Sequence, residues 1–389
     1  MDRNLKIAVV TGTRADYGIL KPVIREVQQS PHLNLQLLVT GAHLEDRFGF
    51  TAHEIEQNGF AIHKKLPIDL SSDNEVSVTK SMGRAMMAFA EVYAESRPDI
   101  ILLLGDRFEI FAATTAALIA RIPVAHLAGG DVTEGAIDEA MRHSITKMAH
   151  LHFVTNAKSA KRVMQLGENP SHIFNVGNPS LDEIKNMTFL TKDEIGSKIK
   201  FDFREKNFLI TFHPETIERN KAKEHIKEML AALKNYPDVG LVFTMPNADP
   251  EGAVIAREIE KFVQENKNAA SYDSLGHNLY FNVMKVVDLV IGNSSSGLLE
   301  APSFNLPCVN LGNRQVGRMQ SALTLQVNID REAIIRSIDK AMAMERKEIE
   351  NPYGDGKSAK RIVSILNNIK QPQNLLKKKF FDMEVVSDA

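Results

Sequence analysis

The sequence predicts an α/β protein of two similar domains, each a parallel sheet covered by helices on both faces. Three observations carry this. Short apolar runs alternate with helical patterns through both halves of the chain. The runs are continuously apolar rather than alternating, as strands buried on both faces are. And 389 residues suit two domains of ordinary size better than one.

In the first half the expected strands are Ile7–Val10, Leu35–Val39, Ile100–Leu104, Pro123–Leu127 and Leu151–Val154, each ending in a polar or glycine-containing turn. Helical patterns lie between them at Ile19–Gln29, Met82–Glu95, Ile110–Ala120 and Ile137–Met148. The second half repeats this logic with Phe208–Phe212, Gly240–Thr244, Leu289–Ile291 and Cys308–Leu311. A polar stretch rich in Lys, Asp and Glu, from about Asn178 to Lys206, reads as the boundary. The expected division is a first domain over residues 1–180, a linker over 181–206, a second domain over 207–357 and a helical tail over 358–389, with a cleft between the domains. The basic cluster Lys377-Lys378-Lys379 reads as a solvated face.

Composition removes several classes. Lys+Arg is 47 and Asp+Glu 49, a formal charge of −2 without the basic excess of a dedicated nucleic-acid binder. The single cysteine, Cys308, allows no internal disulfide and no cysteine-rich metal framework, and its apolar neighbours mark it as a buried, inert thiol. His150 and His152 alternate as on one strand face without a nearby carboxylate pattern, so no metal site is expected. No apolar run reaches the roughly 18 residues of a membrane span. The first apolar run, Ile7–Val10, is too short for a signal peptide. A cytoplasmic protein binding neither nucleic acid nor membrane is expected.

Ligands of open parallel sheets bind beyond the carboxyl ends of the strands, so the residues there are the candidates. Thr11-Gly12-Thr13-Arg14-Ala15-Asp16-Tyr17-Gly18 follows the first strand; the glycine allows a tight turn and Arg14 suits a phosphate or carboxylate. Thr40-Gly41-Ala42-His43 follows the second. Asp106, in Gly105-Asp106-Arg107, follows a wholly apolar run and faces the sheet edge, with a helix N-cap as the alternative role. Asp131, Glu134, Asp138 and Glu139 place four carboxylates within nine residues of a Gly-rich loop after His126, where like charges raise proton affinity and favour acid/base work. Asp138 and Glu139 also fit the first turn of a helix, and Asp138 and Arg142, four apart, are placed to pair. In the second half His213 follows a strand, Asn247 lies in the turn after the next, and Arg314 follows a third. Gly292-Asn293-Ser294-Ser295-Ser296-Gly297 runs from a buried strand into a helix start, a site suited to a diphosphate, with Glu300 about one turn on and within reach of ribose hydroxyls.

Gly12-Thr13-Arg14-Ala15-Asp16-Tyr17, Gly105-Asp106-Arg107, His213-Pro214, Gly292-Asn293-Ser294-Ser295 and Tyr353-Gly354-Asp355-Gly356 together resemble the UDP-N-acetylglucosamine 2-epimerases over nearly the whole chain. The Arg-Ala-Asp-Tyr form resembles the hydrolysing branch, which feeds sialic-acid-type sugar synthesis. The resemblance implies two Rossmann-like domains of the glycosyltransferase-B type, the first carrying acid/base residues and the second binding the nucleotide, and a homodimer. It implies anti elimination of UDP from UDP-N-acetylglucosamine to a 2-acetamidoglucal, then hydration to N-acetylmannosamine, with no nicotinamide or metal cofactor. Position by position it assigns Arg14, Arg107, His213, Asn247, Ser294, Ser295, Glu300 and Arg314 to UDP, with His213 also placed among the catalytic residues, and Asp106 and Asp138 to proton transfer. Ala128 stands where many members carry a carboxylate, one extra residue separates Asp131 from Asp138, and Gly18 replaces a serine. Glu134 is the expected substitute acid and Asp131 its rival. The alternatives are a glycosyltransferase of the same fold, or the same chemistry on a GDP-linked or modified N-acetyl sugar.

Overall fold

The computed structural model describes residues 3–72, 74–133, 137–214, 221–246 and 251–383. Two compact units are present. The first takes Met1–Asp131, Ile137–Glu183 and Tyr353–Ala389, and the second takes Ile184–Pro352 together with Val132 and Thr133.

The first unit is built on β1 (Leu5–Thr11), β2 (Leu33–Thr40), β3 (Ile62–Leu66), β4 (Ile100–Leu104), β5 (Val124–Leu127), β6 (Leu151–Val154) and β7 (Ile173–Asn175). They lie in the order β3-β2-β1-β4-β5-β6-β7, every neighbouring pair parallel. Successive β1 residues serve opposite faces. Ile7 and Val9 join a core with Leu20, Ile24 and Leu102, while Ala8 and Val10 join one with Phe89, Ile101 and Leu103. Burial on both faces is why these strands read as unbroken apolar runs. The edge strands β3 and β7 escape that reading, because β3 carries the exposed His63, Lys64 and Lys65 and β7 spans only Ile173–Asn175.

The second unit repeats the plan with β8 (Asn207–Thr211), β9 (Gly240–Thr244), β10 (Ala269–Tyr272), β11 (Leu289–Gly292), β12 (Cys308–Leu311) and β13 (Thr324–Val327). Their order is β10-β9-β8-β11-β12-β13, again all parallel. Phe208 and Ile210 face one core, Leu209 the other. In each sheet the strand order reverses once, between β1 and β4 and between β8 and β11. Those are the points where open parallel sheets hold ligands.

The expected linker carries helices, and the helix expected after Ser358 packs into the first unit. Helices Ser180–Asn186 and Lys192–Ile199 occupy the former. Helix Ser358–Asn367 belongs to the first unit, its Ile362 and Leu366 packed in the core with Leu20 and Ile24. Asp182 holds its start, accepting from the amides of Ser358 at 2.9 Å and Ala359 at 2.7 Å. The Tyr353-Gly354-Asp355-Gly356 motif forms this return: the Tyr353 carbonyl accepts from the Asn178 amide, and Asp355 pairs with both guanidinium ends of Arg361.

Lys378 is not a solvated charge. Its ammonium donates to Glu168 at 2.6 Å and to the carbonyls of Lys147 and Ala149, and Phe380 lies against Gly167 with the Lys147 ammonium 4.6 Å from its ring. Glu168 also takes His152 at 2.9 Å and Lys147 at 2.7 Å. The carboxylate that the local sequence around His152 lacks thus arrives from outside its strand. No described helix is long and apolar enough to cross a membrane.

Candidate active site

At the reversal in the first sheet, β1 runs into Gly12 and Thr13, and helix Arg14–Gln29 starts at once. Thr13 and Asp16 form a capping box. The Asp16 carboxylate accepts from the amides of Gly12 at 2.9 Å and Thr13 at 2.7 Å, and from the Thr13 hydroxyl. Burial pushes its pKa up against the pull of these bonds. Asp16 therefore shapes the turn. Arg14, the first helical residue, is exposed, with Nε 3.1 Å from Glu54.

Gly12 is glycine for a reason outside its own turn. A Cβ there would lie 2.7 Å from Oε1 and 2.8 Å from Cγ of Glu109. Glu109 is only 1% exposed; its Oε1 accepts from Arg107 Nε at 2.7 Å, and its Oε2 is buried without a hydrogen-bond partner among the described residues. Burial pushes the Glu109 carboxyl up, with Arg107 opposing. Burial also works against the charge of Arg107, but Glu109, Asp16 and Asp138 outweigh it and hold the guanidinium above the usual arginine value.

Asp106 closes the β4 turn. The N-cap position of helix Phe108–Ile119 falls on Arg107, without a side-chain cap bond. Asp106 instead pairs with Arg142 Nη2, while Arg142 Nη1 donates to the Asp131 carbonyl at 2.9 Å and to Glu139 at 3.3 Å. Arg142 belongs to helix Ile137–Met148, whose first turn also carries the exposed Asp138. Sequence spacing offered Asp138 as the partner of Arg142; the Asp106 pair, 36 residues distant, was invisible to it.

The loop after β5 is held tightly. His126 Nε2–H donates to the Gly105 carbonyl at 2.8 Å, and burial pushes this imidazole down to about 3, so it is neutral. Ala128 sits in the left-handed region at φ 64°. The Asp131 carboxylate accepts from the hydroxyls of Thr155 at 3.1 Å and Ser159 at 2.5 Å, and lies 3.5 Å from the Asn156 amide. These bonds tie the loop to the start of helix Ala157–Gln165. Glu134, the expected substitute acid, lies outside the described residues.

In the second sheet the two strand ends at the reversal are joined by Asn293. Its Oδ1 accepts from the His213 amide at 2.7 Å and its Nδ2 donates to the His213 carbonyl at 2.8 Å. Its own carbonyl takes Arg314 at 3.2 Å and Gln315 at 2.8 Å. Gly292, at φ 131°, is required there, since a Cβ would strike the Thr211 carbonyl. Burial pushes His213 down to about 4, aided by the Arg314 charge, so the imidazole is neutral. Ser294 and Ser295 lead into a single helical turn, Ser296–Leu299, shorter than the sequence implied, and the buried Glu300 ends it. Tyr280 is hydrogen-bonded into this loop: its hydroxyl lies 2.6 Å from Ser296 Oγ, which lies 3.1 Å from Ser294 Oγ. Asn247 lies outside the described residues.

The sequence profile of the UDP-N-acetylglucosamine 2-epimerases matches residues 25–367. The chain belongs to that family. The GDP/UDP-N,N'-diacetylbacillosamine 2-epimerase (hydrolyzing) of Campylobacter jejuni is 40% identical over 347 residues, 89% of this chain and 88% of that protein. The UDP-N,N'-diacetylbacillosamine 2-epimerase (hydrolyzing) of Legionella pneumophila is 36% identical over 374 residues, 96% and 98% of the two chains. These relatives agree with the resemblance to the hydrolysing branch. The structure of the Neisseria meningitidis UDP-GlcNAc 2-epimerase bound to UDP-GlcNAc matches with a TM-score of 0.79 at 20% identity, covering 93% of this chain and 99% of that one. It shows the fold, an α/β architecture of two Rossmann-like domains of the glycosyltransferase-B type.

Within this epimerase family member, the two reversal points offer different chemistry. The first combines a half-open carboxylate, Asp106, with the cations Arg14 and Arg107. The second combines a neutral imidazole, hydroxyls and Arg314, a set of donors suited to phosphate oxygens. Among the described residues no group of three or more His, Cys, Asp or Glu is placed to hold a metal ion. Cys308 is buried beneath Gly297, and burial pushes its thiol up to about 12.

Proposed function

We propose that the protein is a hydrolysing 2-epimerase of a UDP-linked 2-acetamido sugar. A base removes the C2 proton, the C1=C2 double bond forms, and the C1–O bond breaks with its electron pair leaving on the diphosphate. Water then adds its oxygen at C1 while a proton returns to C2 from the other face, releasing the epimerised free sugar. The sequence is redox-neutral, so it consumes no oxidant or reductant. Asp106 and Asp138 are read as proton-transfer carboxylates, with Glu134 the second acid. Asp131, tied to Thr155 and Ser159, is read as a loop anchor. Arg14, Arg107, His213, Asn247, Ser294, Ser295 and Arg314 are read as UDP ligands, and Glu300 as the ribose acceptor; cations and donors fixed in advance stabilise a departing diphosphate.

The observation that carries this reading is the position of Asp106: a carboxylate held by a buried arginine at the reversal point of the first sheet. The names of the relatives at 40% and 36% identity make UDP-N,N'-diacetylbacillosamine the first donor to try. The family description makes UDP-N-acetylglucosamine the second. Proton NMR of the protein with each donor in D₂O is the test. Free UDP with a 2-epimerised sugar deuterated at C2 is expected from one of them. A released sugar that keeps its C2 proton, or two unchanged donors, sinks the reading, and the GDP-linked donor then becomes the alternative to try.

A further inference from the structure

We propose that Arg142 is the positioning residue of the Asp106 carboxylate, fixing its charge and direction from the helix behind it. The inference rests on the proton-transfer reading of Asp106 and names what makes that residue competent. The Arg142 side chain is 8% exposed and that of Asp106 18%. The arginine is thus closed off while the carboxylate keeps an open side. Asp106 Oδ2 takes the guanidinium, and among the described residues Oδ1 takes no hydrogen bond. One oxygen is anchored and the other is available to a substrate proton.

The rest of the guanidinium is also committed. Nη1 reaches the Asp131 carbonyl and Glu139, and Glu139 Oε1 lies 3.0 Å from His143 Nε2. Three acceptors from three segments, the β4 turn, the β5 loop and the helix itself, converge on one planar group. Arginine's fixed fork of donors matches this arrangement and lysine's point charge does not. The charges matter as much as the geometry. Asp106 and Glu139 share the Arg142 guanidinium, with His143 and Asp138 the other titratable groups of that helix turn and Arg107 the neighbouring cation of the β4 turn. Without Arg142 both carboxylates lose the cation they share, and each would hold a proton more tightly. Less of Asp106 would then be in the form that accepts a proton.

The test uses Arg142→Lys, Arg142→Gln and Glu139→Gln in the full-length protein. Arg142→Lys is expected to lower kcat by about 100-fold with KM within about threefold. The acid limb of its kcat/KM profile moves to higher pH. Guanidinium added to Arg142→Gln restores part of the rate. Glu139→Gln moves the limb the other way, because a negative neighbour of Asp106 is gone. A purely structural role would lower the melting temperature without moving either limb. The second measurement is a ¹³C titration of the Asp106 carboxyl, assigned by its loss in Asp106→Asn. Its midpoint is expected to rise in Arg142→Gln and fall in Glu139→Gln, whatever the enzyme turns over. Identical limbs and midpoints in wild type and Glu139→Gln overturn the proposal even if both Arg142 variants fail to fold. Failure of the reaction reading looks different: no donor is turned over by wild type, while the carboxyl midpoints still shift.

Discussion

Helix Ile137–Met148 joins two charge clusters of opposite design. In its first half a buried arginine gathers acids, Asp106 and Glu139. At its far end a buried glutamate gathers bases: Glu168 takes His152, Lys147 and Lys378. The helix has 12 residues and so spans about 18 Å. The second cluster is closed: Glu168 is 2% exposed, and both of its oxygens are occupied. The first is left open on the carboxylate side. Burying the carboxylate itself makes a clasp, whereas burying only its counter-ion leaves the carboxylate with an open side.

The sharpest way to break this contrast is to neutralise each carboxylate. Asp106→Asn keeps an acceptor for Arg142 but cannot take a proton. Turnover, followed as UDP release, is expected to fall by about 10³-fold, with the melting temperature nearly unchanged. A variant retaining a tenth of wild-type turnover would remove Asp106 from the chemistry.

Glu168→Ala should do the reverse. It strips a buried site of its anion and leaves His152 and Lys378 facing each other, which costs about 3–5 kcal/mol, while turnover per folded molecule holds. Acid sharpens the case. Burial resists the charge of Glu168, but His152, Lys147 and Lys378 outweigh it and pull its pKa from 4.5 down to about 2. The folded value lies below the unfolded one, so Glu168 contributes stability above pH 4.5 and loses it as pH falls toward 2. Burial likewise holds His126 near 3 and His43, His150 and His213 near 4, against 6.5 unfolded. The unfolded chain binds those protons first, so this stability is present above pH 6.5 and drains below it. Calorimetry should show a melting temperature flat from about pH 8 to 7 and falling below about 6.5. The gap between wild type and Glu168→Ala should narrow below pH 4.5. A constant gap would mean that Glu168 is not the clasp.

The contrast also marks what could be read from the chain alone. Asp106 was legible because it follows a strand apolar at every position, which leaves it no place but the sheet edge. The central strands were legible for the same reason, while β3, β7, β10 and β13 were not, because half-exposed edge strands mix polar and apolar residues. Charges were misread wherever the partner lies far along the chain. Arg142 had Asp138 four residues away and took Asp106; His152 had no local acid and took Glu168; Lys378 looked solvated and closes the clasp. Spacing along a helix shows who is able to meet, and the crossovers of a parallel sheet decide who does. The serine loop was found through its glycines and Asn293 was named within it, but its role of joining β8 to β11 through His213 was not read.

Gly12 is the mildest test of the same lesson, since its turn hid a contact 97 residues away. Gly12→Ala places a methyl against the buried Glu109 carboxyl, which at 1% exposure has little room to yield. Overpacking of this kind costs about 1–3 kcal/mol, and Arg107 is drawn along through its 2.7 Å bond to Glu109. If Arg107 binds the diphosphate, donor KM should rise by about 10-fold, on the order of 1.4 kcal/mol, with kcat changed less. A turn that needed glycine only for its own backbone would respond differently to a second change. Glu109→Asp shortens the opposing side chain by one methylene and makes room for the methyl. The double variant Gly12→Ala/Glu109→Asp should therefore be less impaired in KM than the sum of the two single variants, by about 0.5 kcal/mol or more. Strict additivity would separate Gly12 from Glu109 and return the glycine to its turn.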